Sequence, residues 1–482
     1  MISAETANKL TVTPICDSCV GEEYLSSDTT LFCEERICHY CGKKAPVITI
    51  GDLASEVEAA LERHFHTTSD HPSGYDYYLQ KEGLWERSGQ PVVFVISEAA
   101  LTDEKPSEDI RKLLEYQTYD HSLAEIGEDG PFDSGMYYEE KSIDDSEYRA
   151  AWANFENGIK TESRFFSKFA KNILDDLFKD INKMKTIKGA PVIVKAGPRS
   201  DLKSVFRSRI FQSESALKEA LKFPDIHLGP PSSRQTLAGR MNPQGISVFY
   251  GASTEEIAIA EVRPPVGSKA LVGRFKIIRE LKLLDVAALQ KVPVNGSLFD
   301  HAFLGKLERQ KFLEHLVFRI SQPIMPNDEP FDYLVTQAIA EYLSEIADPP
   351  LDGILFKSAQ TKKTGKNIVL FHQSSLVEKI KIPKGTEITA DNLRDYEDED
   401  YYDDRYHVWE ETPEIENKPN DKEKKRLPFD YWNDEEKKFD LRKVTLKLDI
   451  KSLCVHRINS VVYRTKKAKV TRSRSVKGDI PF

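Results

Sequence analysis

In GDLASEVEAALERHF, residues 51–65, Leu53, Val57, Ala60, Leu61 and Phe65 recur at the spacing that places them on one helical face. The same period returns in SEDIRKLLEYQTY and in SRFFSKFAKNILDDLFKDINKM, so residues 51–195 are predicted to be mainly helical. After GPRSD the pattern changes. SVFRSRIFQ, GISVFYGAS, KALVGRFKII and LKLLDV read as strands, and DGILFKSA and KNIVLFH read as a closing strand pair. Helices interrupt these strands at STEEIAIAEVR, FLGKLERQKFLEHLVFRI and DYLVTQAIAEYLSEI; the first has Ser253 as N-cap and Glu256 as its capping-box partner. Runs of strands with a few helices, without regular βα alternation, predict an α+β fold for residues 202–390.

Elsewhere polarity dominates. IGEDGPFDSGMYYEEKSIDDSE is acidic and turn-rich and is predicted to be a mobile loop or partner surface. Residues 391–440 form a charged insertion, too polar to bury much surface. Strand periodicity resumes over 441–470 in KVTLKLDIKSLCVHRINSVVYR, and a basic tail follows over 471–482. A chain of 482 residues with 40% hydrophobic content has the material for several cores, so a multidomain protein is expected. The net charge of -10 argues against nucleic acid as partner, except through the tail. No window of about 18 apolar residues occurs, and the first residues show no basic stretch followed by an apolar one; a cytoplasmic protein without membrane association is the expectation.

The chain has six cysteines, five of them before residue 42. CDSC (Cys16, Cys19) and CHYC (Cys38, Cys41) have the spacing of a four-thiolate zinc site over residues 1–50. Each CxxC turn presents two sulfurs, and Gly42 suits the tight turn after the second pair. Four protein ligands leave no open coordination position, so such a Zn²⁺ is structural. Buried free thiols are the plain alternative, and Cys33 and His39 are additional candidate ligands. Cys454, in a strand-like run, reads as a buried free thiol.

Residues 239–261, GRMNPQGISVFYGASTEEIAIAE, carry Arg240, Tyr250 and Glu261 on one loop-strand-helix unit. Together with FRSRIF, YLVTQAIAEYL, DGILFKSA and KNIVLF, in that order and spacing, the stretch resembles the RES domain, from about residue 202 to 375. The cysteine-plus-helical N-terminal region is similar to the HEPN/RES-type segment that precedes this domain in larger bacterial members. The resemblance implies a fold akin to ADP-ribosyltransferases and an NAD⁺-degrading toxin, with an Xre-type antitoxin or other regulator as partner. A homo-oligomer is compatible with it. It implies active-site roles for Arg240, Tyr250 and Glu261, and nucleotide contacts from Ser358 and Asn367 and from Arg207 or Arg209, with the choice between the two arginines open.

The residue types suit that chemistry. An arginine fork fixes pyrophosphate, a tyrosine offers a flat face to nicotinamide and a hydroxyl to ribose, and a carboxylate stabilises a cationic ribosyl centre. Ser358 would orient a phosphate or the ribose. Water, phosphate or a protein nucleophile remain alternative acceptors, so a glycohydrolase, a phosphorylase and a protein ADP-ribosyltransferase share this pocket; a non-catalytic nucleotide-binding module is a further alternative. Arg309 and His315 also match the spacing of the HEPN ribonuclease signature, although their helix is rich in Leu and Phe, which favours a core role.

Overall fold

The computed structural model describes residues 2–119, 129–321, 329–394, 404–413 and 440–472, apart from positions 29, 33, 73, 75, 83, 359, 361–364, 463 and 464 within those stretches. Cys33 thus lies outside the described residues. The chain forms two compact units, each discontinuous in sequence: Met1–Leu177 with Lys185–Ala190 and Leu289–Arg319, and Phe178–Met184 with Pro191–Ala288 and Ile320–Phe482.

In the first unit, β1 (Pro14–Cys16), β2 (Glu34–Ile37) and β3 (Lys44–Thr49) form an antiparallel sheet with β3 central. The helix α1 (Ile50–His64) follows β3 directly. Thr49 caps it by accepting from the Asp52 N–H, and Leu53, Val57, Ala60 and Leu61 are buried as their spacing predicts. Phe65 instead begins a strand, β4 (Phe65–Thr67). The helices α2 (Val92–Ala100) and α3 (Glu104–Gln117) add Val92, Ile96, Ile110 and Leu114 to the same core.

The acidic segment predicted to be mobile is built into this unit over its described part. Its β6 (Tyr137–Glu140) pairs with both β4 and β5 (Gln90–Pro91), and Phe132 and Tyr138 are buried. Arg111 donates to the Phe132 carbonyl at 2.8 Å, and the Tyr138 hydroxyl donates to the Pro131 carbonyl at 2.7 Å. The aromatic residues, outnumbered by acidic ones in sequence, decide the placement because burying them outweighs the average polarity of the segment. The long helix predicted from SRFFSKFAKNILDDLFKDINKM is only Lys168–Leu177, bounded by left-handed backbone at Phe166 and Asp180. Trp152, in α4 (Ser146–Thr161), meets Phe312 at 5.5 Å between ring centres, so the middle of the helix Phe303–Ser321 packs within this unit.

The second unit is built on an eight-stranded sheet. Its strands are β7 (Ile193–Ala196), β8 (Ser204–Phe211), β9 (Phe249–Ala252), β10 (Lys269–Ile277), β11 (Leu281–Asp285), β12 (Gly353–Lys357), β13 (Lys366–Leu370) and, beyond a hairpin, β16 (Leu446–Arg457). Their order across the sheet is β16-β10-β8-β9-β13-β12-β11-β7, antiparallel throughout except for β11 beside β12. Phe249 and Phe275 meet edge to face, 4.9 Å between centres, within a core that includes Leu271, Ile368 and Leu370. The molecule is α+β. The charged insertion contributes structure as well: β15 (Asp404–Glu411) pairs along its whole length with β14 (Glu387–Arg394), while residues 395–403 and 414–439 lie outside the described ones.

Two helices frame the site. In α5 (Glu255–Glu261), Ile257 and Ala258 pack on Ala252 and Phe206. Its N-cap is Thr254, which accepts from the Ile257 N–H, one residue later than predicted; Ser253 instead accepts from the Lys366 N–H. That leaves Glu256 out of a capping box. The second is α6 (Glu329–Glu345). Cys454, predicted to be buried, is exposed: β16 is an edge strand, so one of its faces meets solvent.

Candidate active site

Four adjacent strands bring the predicted residues together. Asn367 of β13 sits opposite Ala252 of β9 on one side and Phe356 of β12 on the other, and Phe206 of β8 also faces Ala252. Over this patch lies a cavity of about 310 Å³. Arg207, Arg240, Tyr250, Glu261 and Asn367 all line it. Ser358 joins through Glu261, donating its hydroxyl to the carboxylate at 2.5 Å.

Arg240 is placed by a braced loop. The Tyr250 hydroxyl accepts from the Met241 N–H at 3.0 Å and donates to Asn242 Oδ1 at 3.0 Å. From α6, Gln337 donates to the carbonyls of Gly239 and Asn242, and Thr336 to that of Arg240. A Cβ on Gly239 would lie 2.6 Å from Asn242 Oδ1 and 2.9 Å from the Tyr250 hydroxyl, so a side chain there would have to displace the bond between them. Because a phenol has one proton to donate, the Tyr250 hydroxyl is committed to the loop, and its ring is the part the cavity uses. Burial pushes that phenol up to about 12, so it stays neutral.

Charge at the cavity is lopsided. Arg207, Arg240, Arg263 and Lys357 stand against one carboxylate, Glu261. Burial, with Arg209 adding to it, lowers Arg207 to about 10, which leaves it charged at neutral pH. Burial also lowers Arg240, against the pull of Tyr333, Tyr250 and Glu261. Arg240 Nη1 donates to the Ile320 carbonyl at 2.7 Å. Three polar atoms of the lining residues are sealed from solvent and have no partner among the described residues: Nη1 of Arg207, the hydroxyl oxygen of Ser208 and Oδ1 of Asn367. A ligand that offers an acceptor to Arg207 and a donor to Asn367 would satisfy those two.

Local rules bend at this point in the chain. Glu261 ends α5, where the helix dipole disfavours a carboxylate by about 0.3–1 kcal/mol. Two residues on, Arg263 takes left-handed backbone with φ 46°, a cost of roughly 1–2 kcal/mol for a residue with a side chain. Both side chains reach the cavity. Arg209, by contrast, is exposed and donates to the His227 carbonyl at 3.0 Å, outside the cavity. Tyr333, Arg263 and Lys357 are lining residues that the sequence reading did not single out. Tyr333 opens the quoted YLVTQ motif, but its helical period marks it only as one residue of an amphipathic face.

In the first unit, Cys16, Cys19, Cys38 and Cys41 place their sulfurs within 4.8 Å of one another. Cys16 and Cys41 are 3.5 Å apart and Cys19 and Cys38 3.9 Å, against ~3.8 Å expected for a tetrahedron with metal–sulfur bonds of ~2.3 Å. Burial pushes Cys16 and Cys19 up. At Cys38 burial is outweighed by the N–H groups of Cys41, Cys16 and Tyr40, which bring it down to about 7. Gly42 supplies the turn at φ 72°, and the four sulfurs fit a metal ion. His39 does not belong to this ligand group; its ring lies against Tyr40. Arg309 and His315 are engaged by the first unit's helices: His315 Nδ1 bonds Asp145 at 2.7 Å, and Arg309 donates to the Asp176 carbonyl at 3.4 Å. No helix among the described residues is long and apolar enough to cross a membrane.

No curated protein and no solved structure matches the chain. The family model of the RES domain matches residues 209–391, a span that begins within β8, ends within β14 and contains Arg240, Tyr250, Glu261, Ser358 and Asn367. The chain carries a RES domain.

Proposed function

We propose that the second unit cleaves the N-glycosidic bond of NAD⁺, and that the protein is an intracellular toxin of a toxin–antitoxin or phage-defence system. The observation that carries this reading is a cavity that combines a cationic wall, Arg207 and Arg240, with a single carboxylate, Glu261, held by Ser358. The cavity is small by ligand-pocket standards and takes the nicotinamide–ribose half of the dinucleotide. The arginines bind the pyrophosphate, Nη1 of Arg207 supplying the donor that has no protein partner. Asn367 accepts from the nicotinamide carboxamide, and the Tyr250 ring packs beside it.

The bond between C1′ and the pyridinium nitrogen then breaks, and its electron pair neutralises the ring nitrogen. Nicotinamide leaves uncharged and needs no acid. The positive charge passes to the ribosyl centre, where the Glu261 carboxylate stabilises it. Water adds at C1′ and gives its proton to solvent; phosphate or a protein side chain in its place would give the phosphorolytic or transferase product. In the first unit the four cysteines hold a structural Zn²⁺, which closes the loop between the two CxxC turns.

The test is nicotinamide release from NAD⁺ by the purified full chain. Mass spectrometry of the products assigns the acceptor as water, phosphate or protein. Release by the wild type no faster than by Glu261→Gln would overturn the proposal. Expression in cells should lower NAD⁺ if the toxin role is right, and unchanged NAD⁺ on expression of an active enzyme would remove that role.

A further inference from the structure

Outside the cavity and the four-cysteine cluster, one group of side chains has the composition of a metal site. Cys454 and His456 are two residues apart on β16, so both project from the same face of the strand. Glu255 approaches from α5, nearly 200 positions earlier in the chain. The Cys454 sulfur, an imidazole nitrogen of His456 and a carboxylate oxygen of Glu255 all lie within 4.8 Å of one another. His456 Nε2 is hydrogen-bonded to Glu255 Oε1. The pairing of Ala270 with His456 and of Val272 with Cys454 fixes both residues in the sheet, so only side-chain rotation separates this arrangement from coordination.

We propose that Glu255, Cys454 and His456 form a second metal site, three-ligand and open to solvent, selective for a zinc-type divalent ion. Thiolate, imidazole and carboxylate together match Zn²⁺ and Co²⁺, whereas Mg²⁺ and Ca²⁺ prefer oxygen ligands alone. Because Cys454 is exposed, water can occupy the fourth position. Binding replaces the thiol proton and the His456–Glu255 hydrogen bond with metal bonds, and it ties α5 to the edge strand. The site is independent of the reading given to the cavity.

The experiment compares the full-length wild type with Cys454→Ser and with His456→Gln after dialysis against micromolar Zn²⁺, scored as metal equivalents per chain. Both substitutions are conservative and lie on an exposed edge, and thermal melting of each variant checks that it remains folded. The expected result is one equivalent fewer in each variant, with cobalt loading giving a thiolate–Co²⁺ absorption that loses one component in Cys454→Ser. Zn²⁺ should also protect Cys454 from a thiol reagent, located by peptide mapping. Equal metal content in wild type and both variants, or alkylation of Cys454 at the same rate with and without Zn²⁺, would overturn the site and leave an ordinary His–Glu pair beside a free thiol.

Discussion

At the scale of single residues, Glu261 is the group on which chemistry should depend most and stability least. It is exposed, and Ser358 donates to it. Glu261→Gln should therefore slow nicotinamide release by about 10²–10³-fold, the order of loss seen when one transition-state charge partner is removed, while the melting temperature stays within a few degrees. Ser358→Ala removes a hydrogen bond to a charged group at an exposed position and should cost only about 3- to 10-fold in rate. Arg207 presents the reverse case. It is half-buried, its Nη1 is sealed from solvent without a partner, and its guanidinium lies over the Phe249 ring, 4.9 Å away. Burial holds Arg207 below the usual arginine range, so the fold disfavours its charge, and Arg207→Met should raise the melting temperature while weakening NAD⁺ binding measured by calorimetry. A lower melting temperature would show that Arg207 is structural. Sequence could not separate Arg207 from Arg209, since both point to one side of the same strand. They differ by about 6.6 Å along it, enough for one to reach the cavity and the other to reach the His227 carbonyl.

At the scale of elements, the loop Gly239–Asn242 is the part whose geometry depends on distant partners. Arg240 was legible as a residue, but what holds it was not: Thr336 and Gln337 lie almost a hundred positions later, and a helical period gives no reason to single out two polar residues. The double substitution Thr336→Val and Gln337→Leu should leave α6 formed and free the loop, raising KM for NAD⁺ several-fold with a smaller change in kcat. A kcat loss with KM unchanged would place these residues in the chemical step instead. The Tyr250 phenol adds an alkaline signature to the same loop. Its native value, about 12, lies above its unfolded value of about 10, so its contribution to stability is complete below pH 10 and is lost as pH rises from 10 to 12. Wild type should lose stability over that window more steeply than Tyr250→Phe, as read by chemical denaturation at stepped pH. The strands of the sheet were legible because alternation and β-branched content agree there. The acidic segment and β15 were not, because a few aromatic anchors, Phe132 and Tyr138 among them, and pairing with β14 decide structure where average composition reads as loop.

At the scale of the whole molecule, the two units are each assembled from separated stretches, and this was the least legible feature. A hydrophobic period identifies the helix Phe303–Ser321 but not which core receives it, since Phe312 and Leu316 would satisfy any apolar face; the tilted ring contact of Trp152 with Phe312 settles the matter. In the same unit the four-cysteine cluster was legible to the residue, because two CxxC pairs leave their spacing in the sequence itself. The cluster ties β1 to the turn after β2 in a small sheet whose strands are three to six residues long. Cys16, Cys38 and Val47 form a local core beside the cluster, while Ile15 and Ile48 anchor the sheet in the unit's main core. A metal bound by the four sulfurs would add to that anchoring by holding the two CxxC turns together. Removing the metal with a strong chelator, or substituting Cys38→Ser, should expose residues 12–49 to protease, while the segment 191–288 stays protected at the same protease dose. Metal analysis of the untreated chain should show at least one zinc equivalent lost on Cys38→Ser. If the chelated chain keeps its full protection over residues 12–49, the four sulfurs are a packed thiol cluster and the small sheet stands without a metal.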